Sequence, residues 1–365
     1  MKKAILHIGT EKTGTTSIQT FLFQNRFKLL VAGRLFPASA GYTSNRRLVV
    51  FGKRAPEADL APHSLDVADP VALGEWKEQF VHEHCAEVMA FHARHPQDST
   101  VIYSSEHLQS RLTSIDEIKR VARLLRPLYD KVSVVVYLRR QDKYALSAYS
   151  TSVRGGNQRL FSFEDIHSAG PYYNYRKLIE NWTEVFGEDS LTVRVFERQR
   201  MVGGDVVADF CQLSGIDAEE LGLEWPDAEN EALSFTALSL LRAFNALDSA
   251  DPRLQGIPRR KLRSFLLDKV QTIRDDYGHV LPTRESAMAF HEKFADDNQW
   301  IAERWLGAEG FEASFNNYPE QAIELPVVSD IEQRLDALID SYPVPRRGFA
   351  KHLRKVVPAF FLKAG

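Results

Sequence analysis

The stretch KAILHIGTEKTGTTSIQ, Lys3 to Gln19, places three signals in a row. A short apolar run, Lys3 to Gly9, has the pattern of a buried strand. A turn bracketed by Gly9 and Gly14 follows, and Thr15-Thr16 opens a helical pattern. A strand that runs into a glycine-bounded turn and then a helix is the first unit of an α/β fold. Such a turn lets backbone N–H groups and the helix N-terminus close around an anion. Four residues separate the glycines, the spacing of a GxxxxGK[ST] phosphate loop, but Thr15 stands where that motif has its lysine. The cation of this loop is Lys12, inside the turn.

Three further β-rich apolar runs, Thr100 to Ser105, Val132 to Arg139 and Leu191 to Phe196, read as buried parallel strands. Helical periodicity covers Thr16 to Leu30, Leu73 to Arg94, Ile115 to Leu128, Lys143 to Arg154 and Tyr172 to Phe186. The alternation predicts an α/β fold with a doubly wound, mostly parallel sheet and a P-loop-like nucleotide site. Val31 to about Pro70 is loop-like, and Trp225 to Pro345 is mostly helical in pattern. The expected organisation is a core over 1–225 with an insertion at about 31–96, followed by a helical C-terminal cap over 226–365.

A chain of 365 residues with 44% hydrophobic and 26% charged residues is long enough for a large core and excludes collagen-like and wholly disordered classes. Lys plus Arg number 46 against 49 for Asp plus Glu, so no global basic field points to nucleic acid. The two cysteines, Cys85 and Cys211, lack metal-site spacing and fit a reducing compartment. The apolar run after Lys3 meets His7 and a polar loop too early for a signal peptide, and no run approaches the roughly 20 apolar residues of a membrane span. A cytoplasmic enzyme is the expectation.

GTEKTGTTSIQ resembles the 5′-phosphosulfate loop of sulfotransferases, in which a PK[ST]GTT pattern binds 3′-phosphoadenosine 5′-phosphosulfate. Lys12, Thr13, Gly14, Thr15 and Thr16 match, and Glu11 departs from the proline. The third of the four runs ends Leu138-Arg139-Arg140-Gln141, and Ser147 lies eight residues after Arg139, with Tyr149 just beyond. This is similar to the family's 3′-phosphate site, although Arg140-Gln141 replaces Asn-Pro and leaves open which arginine takes the phosphate. The resemblance covers Lys3 to about Gly215 and implies a sulfuryl transfer from that donor to an acceptor hydroxyl, without a metal. It implies Lys12 at the departing phosphate oxygen, Thr13, Gly14, Thr15, Thr16 and Ser17 around the phosphosulfate, Arg139 and Ser147 at the 3′-phosphate, and Tyr172 stacked on adenine.

The base that takes the acceptor proton must stand near Lys12. Glu106 and His107, at the end of the second run, are the candidates, and adjacent strand-end residues are expected to point apart. Asn298 to Pro319 is similar to the ends of polysaccharide-type relatives, which implies a carbohydrate acceptor, a glycan or glycolipid. The basic, amphipathic tail from Arg346 to Phe361 suits contact with an anionic inner-membrane surface or, through Arg346-Arg347-Gly348, with the 3′-phosphate. His82, His84, Cys85, His92 and His95 share one helical pattern, but His82 and His84 diverge on a helix and no metal site is expected. The alternatives are a P-loop kinase or NTPase, which would need Mg²⁺ beside Thr15 or Thr16, and a catalytically inactive nucleotide- or glycan-binding protein.

Overall fold

The computed structural model describes residues 1–227, 233–273, 282–307, 309–321 and 328–343. Among these, five strands form one wholly parallel sheet: β1 (Lys2–His7), β2 (Arg34–Leu35), β3 (Ser99–Ser104), β4 (Lys131–Leu138) and β5 (Leu191–Val195). Their spatial order is β2-β3-β1-β4-β5. From β1 the chain runs to the edge strand β2, returns inward to β3 beside β1, and then crosses over to β4 on the other side. The carboxyl end of β1 is therefore the topological switch point, where α/β sheets open a crevice for ligands.

Helices α1 (Thr15–Gln24) and α2 (Arg26–Val31) follow β1, and α3 (Arg46–Gly52) and α4 (Pro70–Arg94) lead into β3. After β3 come α5 (His107–Arg111) and α6 (Ile115–Leu125), and after β4 come α7 (Gln141–Gly155) and α8 (Tyr175–Phe186). Helix α9 (Val206–Ser214) closes the regular alternation. Alternate strand residues pack on opposite faces, as the period of two requires. Leu6, Val101, Tyr103, Val134 and Val136 join a core with Phe80, Ile118, Val121, Ile179 and Trp182. Ile102, Val135 and Tyr137 join the other with Ile18, Phe21, Val207 and Phe210. The sheet is covered on both faces, which is what the four unbroken apolar runs anticipated.

Two compact units divide the chain, one comprising Met1–Ala145, Phe163–Asn230 and Glu285–Phe315, the other Leu146–Ser162, Glu231–Arg284 and Asn316–Gly365. The first holds the sheet. It also recovers most of α12 (Arg284–Glu292) and all of α13 (Ala295–Trp305), following α10 (Phe235–Ala246) and α11 (Arg259–Val270) of the second unit. Asn298 exchanges two hydrogen bonds with Gln141, at 2.8 and 3.2 Å, which ties α13 to the start of α7. The second unit is helical in its described residues and has its own core, in which Leu240, Leu241 and Phe244 of α10 pack with Leu262 and Leu266 of α11 and with Leu335 of α14 (Val328–Asp340).

The segment read as a loop from Val31 to Pro70 contributes β2, paired through Arg34 with Thr100, and the helix α3. The helix expected to run to Leu30 breaks at Asn25, whose side chain donates to Phe21 O and Glu224 O at 2.9 and 2.8 Å. Among the described residues no helix is long and apolar enough to cross a membrane.

Candidate functional site

The loop after β1 is held by its neighbour strand. Ile8 and Thr10 donate backbone N–H bonds to Val135 O and Tyr137 O, and Tyr137 N–H donates to Gly9 O at 2.7 Å. The Thr10 hydroxyl donates to Tyr137 O at 3.0 Å, and the buried Thr13 hydroxyl donates to Thr10 O at 2.6 Å. Thr13 thus uses its side chain to brace the turn, and its backbone N–H is what it can offer an anion. Both glycines are required by contacts. A Cβ on Gly14, at φ 73°, would lie 2.7 Å from Val206 Cγ1, and one on Gly9 would lie 3.0 Å from Glu106 Cα.

Gly14 is the N-cap of α1 and supplies no side-chain acceptor, and the first turn carries no acidic residue. The first intrahelical bond is from Ile18 N–H to Gly14 O. The N–H groups of Thr15, Thr16 and Ser17 are therefore the orphan donors of an uncapped helix end, beside the positive pole of its dipole. Thr15 is buried, Thr16 exposed and Ser17 half-buried. Lys12 sits at φ 64°, a left-handed conformation that a lysine adopts at a cost of about 1 kcal/mol. Strain of this kind concentrates at ligand clamps.

Arg139 and Arg140, equivalent as neighbours in the chain, have different surroundings. Arg140 is fully buried, makes a bidentate pair with Asp142 at 2.7 and 2.8 Å, donates to Ser314 O at 2.7 Å and lies over the Phe315 ring at 3.9 Å. It fastens the returning segment to the sheet. Arg139 is half-buried and donates from Nη1 to Lys12 O at 3.0 Å, which places its guanidinium against the loop. The Phe196 ring, just past β5, lies 5.6 Å from the Arg139 guanidinium and 3.3 Å from the Cβ position of Gly14. Sequence reasoning passed over Phe196, although an aromatic residue directly after a strand of the sheet was the available signal. Ser147 is half-buried on α7, where its carbonyl accepts from the Thr151 hydroxyl at 3.2 Å, and it falls in the second compact unit.

On the other side of the loop, Glu106 accepts from Gln19 Nε2 of α1 at 2.6 Å. His107 does not point away from it, because the chain leaves β3 directly into helical backbone, with Glu106 at φ −64° and ψ −22°. The alternation expected at a strand end does not apply, and His107 Nε2 lies 3.9 Å from Glu106 Oε1. His107 Nδ1 is buried with no hydrogen-bond partner. Tyr172 belongs to this side as well. Gln109 Nε2 of α5 donates to Pro171 O at 2.7 Å, and Tyr172 stacks on the buried Tyr144, with centroids 6.4 Å apart. Burial raises the pKa of both phenols, and the negative charge of Glu11 adds to the shift.

The histidines of α4 serve the fold. His84 is buried between the Ser39 and Tyr103 hydroxyls at 2.8 and 2.7 Å, and His92 bonds the Ser99 hydroxyl at 2.7 Å. Among the described residues no group of three potential ligands could hold a metal. The tail, with Arg346, Arg347 and Gly348, lies outside the described residues.

No family model matches the chain. A protein of Archaeoglobus fulgidus described only as uncharacterized is 28% identical over 199 residues, which cover 54% of this chain and 51% of that protein. The chain thus spans about half the length of that relative. A crystal structure of a sulfotransferase from Alicyclobacillus acidocaldarius aligns over 63% of this chain and 86% of its own, with a TM-score of 0.32 and 16% identity.

Proposed function

We propose that the protein is a sulfotransferase that moves a sulfuryl group from 3′-phosphoadenosine 5′-phosphosulfate to a hydroxyl of a carbohydrate acceptor. One observation carries the reading: an uncapped helix N-terminus and a strained lysine enclose the same glycine-bounded turn, with Arg139 bound to that lysine's carbonyl. The residues present fit such a donor. The backbone N–H of Thr13 and the orphan N–H groups of Thr15, Thr16 and Ser17 suit the phosphosulfate, and a positively charged Arg139 beside them suits a second phosphate. Phe196 offers a ring face beside Arg139, and Tyr172, stacked on Tyr144, offers another for the adenine.

In the reaction the acceptor oxygen bonds to sulfur, the bond from sulfur to the phosphate oxygen breaks, and that oxygen keeps the electron pair. Glu106 takes the acceptor proton, held in place by the hydrogen bond from Gln19. Lys12 and the helix N-terminus stabilise the charge that develops on the departing oxygen, an effect worth about 3 to 4 kcal/mol per well-placed donor. Arg139 holds the donor through its second phosphate.

Calorimetric titration with adenosine 3′,5′-bisphosphate, and with ADP and ATP with and without Mg²⁺, tests the reading. Metal-independent preference for the 3′-phosphorylated nucleotide is expected. Preference for Mg²⁺-ATP would replace it with a kinase or NTPase, and nucleotide binding without transfer to any hydroxyl would leave an inactive binding protein.

A further inference from the structure

Arg139 and Arg140 take separate paths at the first peptide past β4. Leu138 O, at the end of that strand, accepts from Phe196 N–H at 2.7 Å, and Arg140 O accepts from Tyr144 N–H at the start of α7 at 2.9 Å. The Arg139 carbonyl lies between the ladder and the helix, and it accepts from the Tyr175 hydroxyl at 2.7 Å, across 36 positions of chain. Tyr175 is buried at the start of α8, in one core with Ile179 and Trp182, and its ring meets that of Phe311 at a centroid distance of 6.3 Å. Asn174 caps that turn, its side chain accepting from Lys177 N–H at 2.9 Å.

Because the peptide unit is planar, a carbonyl fixed in direction fixes the backbone on both sides of it and the course its two flanking side chains take. Arg140 has further anchors, since Asp142, Ser314 O and Phe315 hold its guanidinium in the interior. Arg139 reaches Lys12 O from a half-buried position at 3.0 Å, so the direction of its side chain depends on its own backbone. A ring packs in a core without a hydroxyl, whereas a buried hydroxyl needs a partner. The partner of this one is the residue that touches the anion-binding turn. We infer that Tyr175 is a positioning residue, its hydroxyl holding the Arg139 backbone so that the guanidinium faces the turn before any phosphate arrives. Such preorganisation lowers the ordering cost of binding. The inference rests on the reading of Arg139 as the holder of the donor's second phosphate, and it makes the choice of a 3′-phosphorylated nucleotide depend on a buried residue behind the site.

Tyr175→Phe keeps the ring and removes the hydroxyl, so the protein should fold and melt only about 1 to 6 °C below wild type. Isothermal titration compares adenosine 3′,5′-bisphosphate with 5′-AMP, which lacks the 3′-phosphate. The wild-type preference for the bisphosphate should fall about fivefold in Tyr175→Phe, the worth of one hydrogen bond, while 5′-AMP affinity changes by less than about twofold. In an Arg139→Ala background the same substitution should leave the remaining preference unchanged. Equal weakening of both nucleotides, an unaltered preference, or an equal loss in the absence of Arg139 would overturn the inference and leave Tyr175 a core residue. If wild-type protein does not prefer the bisphosphate, the donor reading falls, and the Arg139 side-chain Nε–H resonance of the ligand-free protein decides the inference by itself. An Nε–H group that is ordered in wild type and mobile in Tyr175→Phe would sustain it, and equal mobility in the two would overturn it.

Discussion

Replacing Arg139 and Arg140 by alanine, one at a time, removes the same charge from adjacent positions and should break two different properties. Arg140 is fully buried, and its bidentate partner Asp142 is buried as well. Its removal leaves a buried carboxylate without its guanidinium, a change that costs about 3 to 5 kcal/mol. The contacts to Ser314 O and Phe315 go with it, releasing the segment that returns to the sheet. At about 2 to 4 °C per kcal/mol for a unit of this size, Arg140→Ala should melt roughly 6 to 20 °C lower than wild type. Arg139→Ala gives up a half-exposed bond to Lys12 O, worth about 1 kcal/mol to the fold. It should nonetheless lose about 1.5 to 3 kcal/mol of affinity for adenosine 3′,5′-bisphosphate, roughly 10- to 150-fold, because a charged hydrogen bond to phosphate disappears. Scanning calorimetry of both variants, with isothermal titration of Arg139→Ala, reads the two effects separately. An Arg140→Ala protein that melts within about 2 °C of wild type, or an Arg139→Ala protein that binds the nucleotide normally, would refute the assignment of one arginine to the fold and the other to the ligand.

Other outcomes follow from the same geometry. Glu106→Gln should lower turnover by about 10²- to 10⁴-fold with nucleotide affinity unchanged, and near wild-type turnover in a steady-state assay would move the base to His107. Lys12→Gly and Lys12→Ala should both lose transfer, but thermal melting should find the glycine variant no less stable, because only glycine occupies φ 64° without strain. Acid should weaken the fold through its buried histidines. Burial pushes His7 down to about 3 and His84 to about 4, from 6.5. Both folded values are depressed, so the unfolded chain takes up these protons first. The stability is complete above pH 6.5 and is lost progressively as the pH falls toward the folded values. Between pH 6.5 and 5 the pair should cost about 3 kcal/mol, which urea denaturation at the two pH values would detect as a lower midpoint.

How far the sequence could be read depended on where the deciding partner lay. The unit from β1 through the loop to α1 is local: its strand, its glycines and its hydroxyl-bearing helix start all occur within 17 residues, Lys3 to Gln19. The four long strands were legible because both faces of each are covered. Strand β2 was not, since two residues carry no periodicity and only the pairing with β3 makes them a strand. The choice between Arg139 and Arg140 was equally hidden, because the groups that claim Arg140 include Ser314 and Phe315, more than 170 positions away. The position of His107 depended on a single backbone rotation at Glu106, which turns a strand end into a helix start. Neither composition nor spacing reports such a rotation.

The strand order itself explains why the candidate site has two unlike sides. Because β1 lies between β3 and β4, whatever follows β3 and whatever follows β4 or β5 must flank the loop from opposite directions. Arg139 and Phe196 come from the ends of β4 and β5 and bring a cation and a ring to one flank. Glu106 and His107 come from the end of β3 and bring a carboxylate and an imidazole to the other. The loop joins the two flanks, with Lys12 bonded through its carbonyl to Arg139 on one and Gly9 packed against the Glu106 backbone on the other. A donor that is a polyanion belongs on the cationic flank, and an acceptor that must lose a proton belongs on the flank with the carboxylate. On the proposed reaction, the single crossover at β1 would separate the two substrates and direct them to the one turn where the transferred group would pass between them.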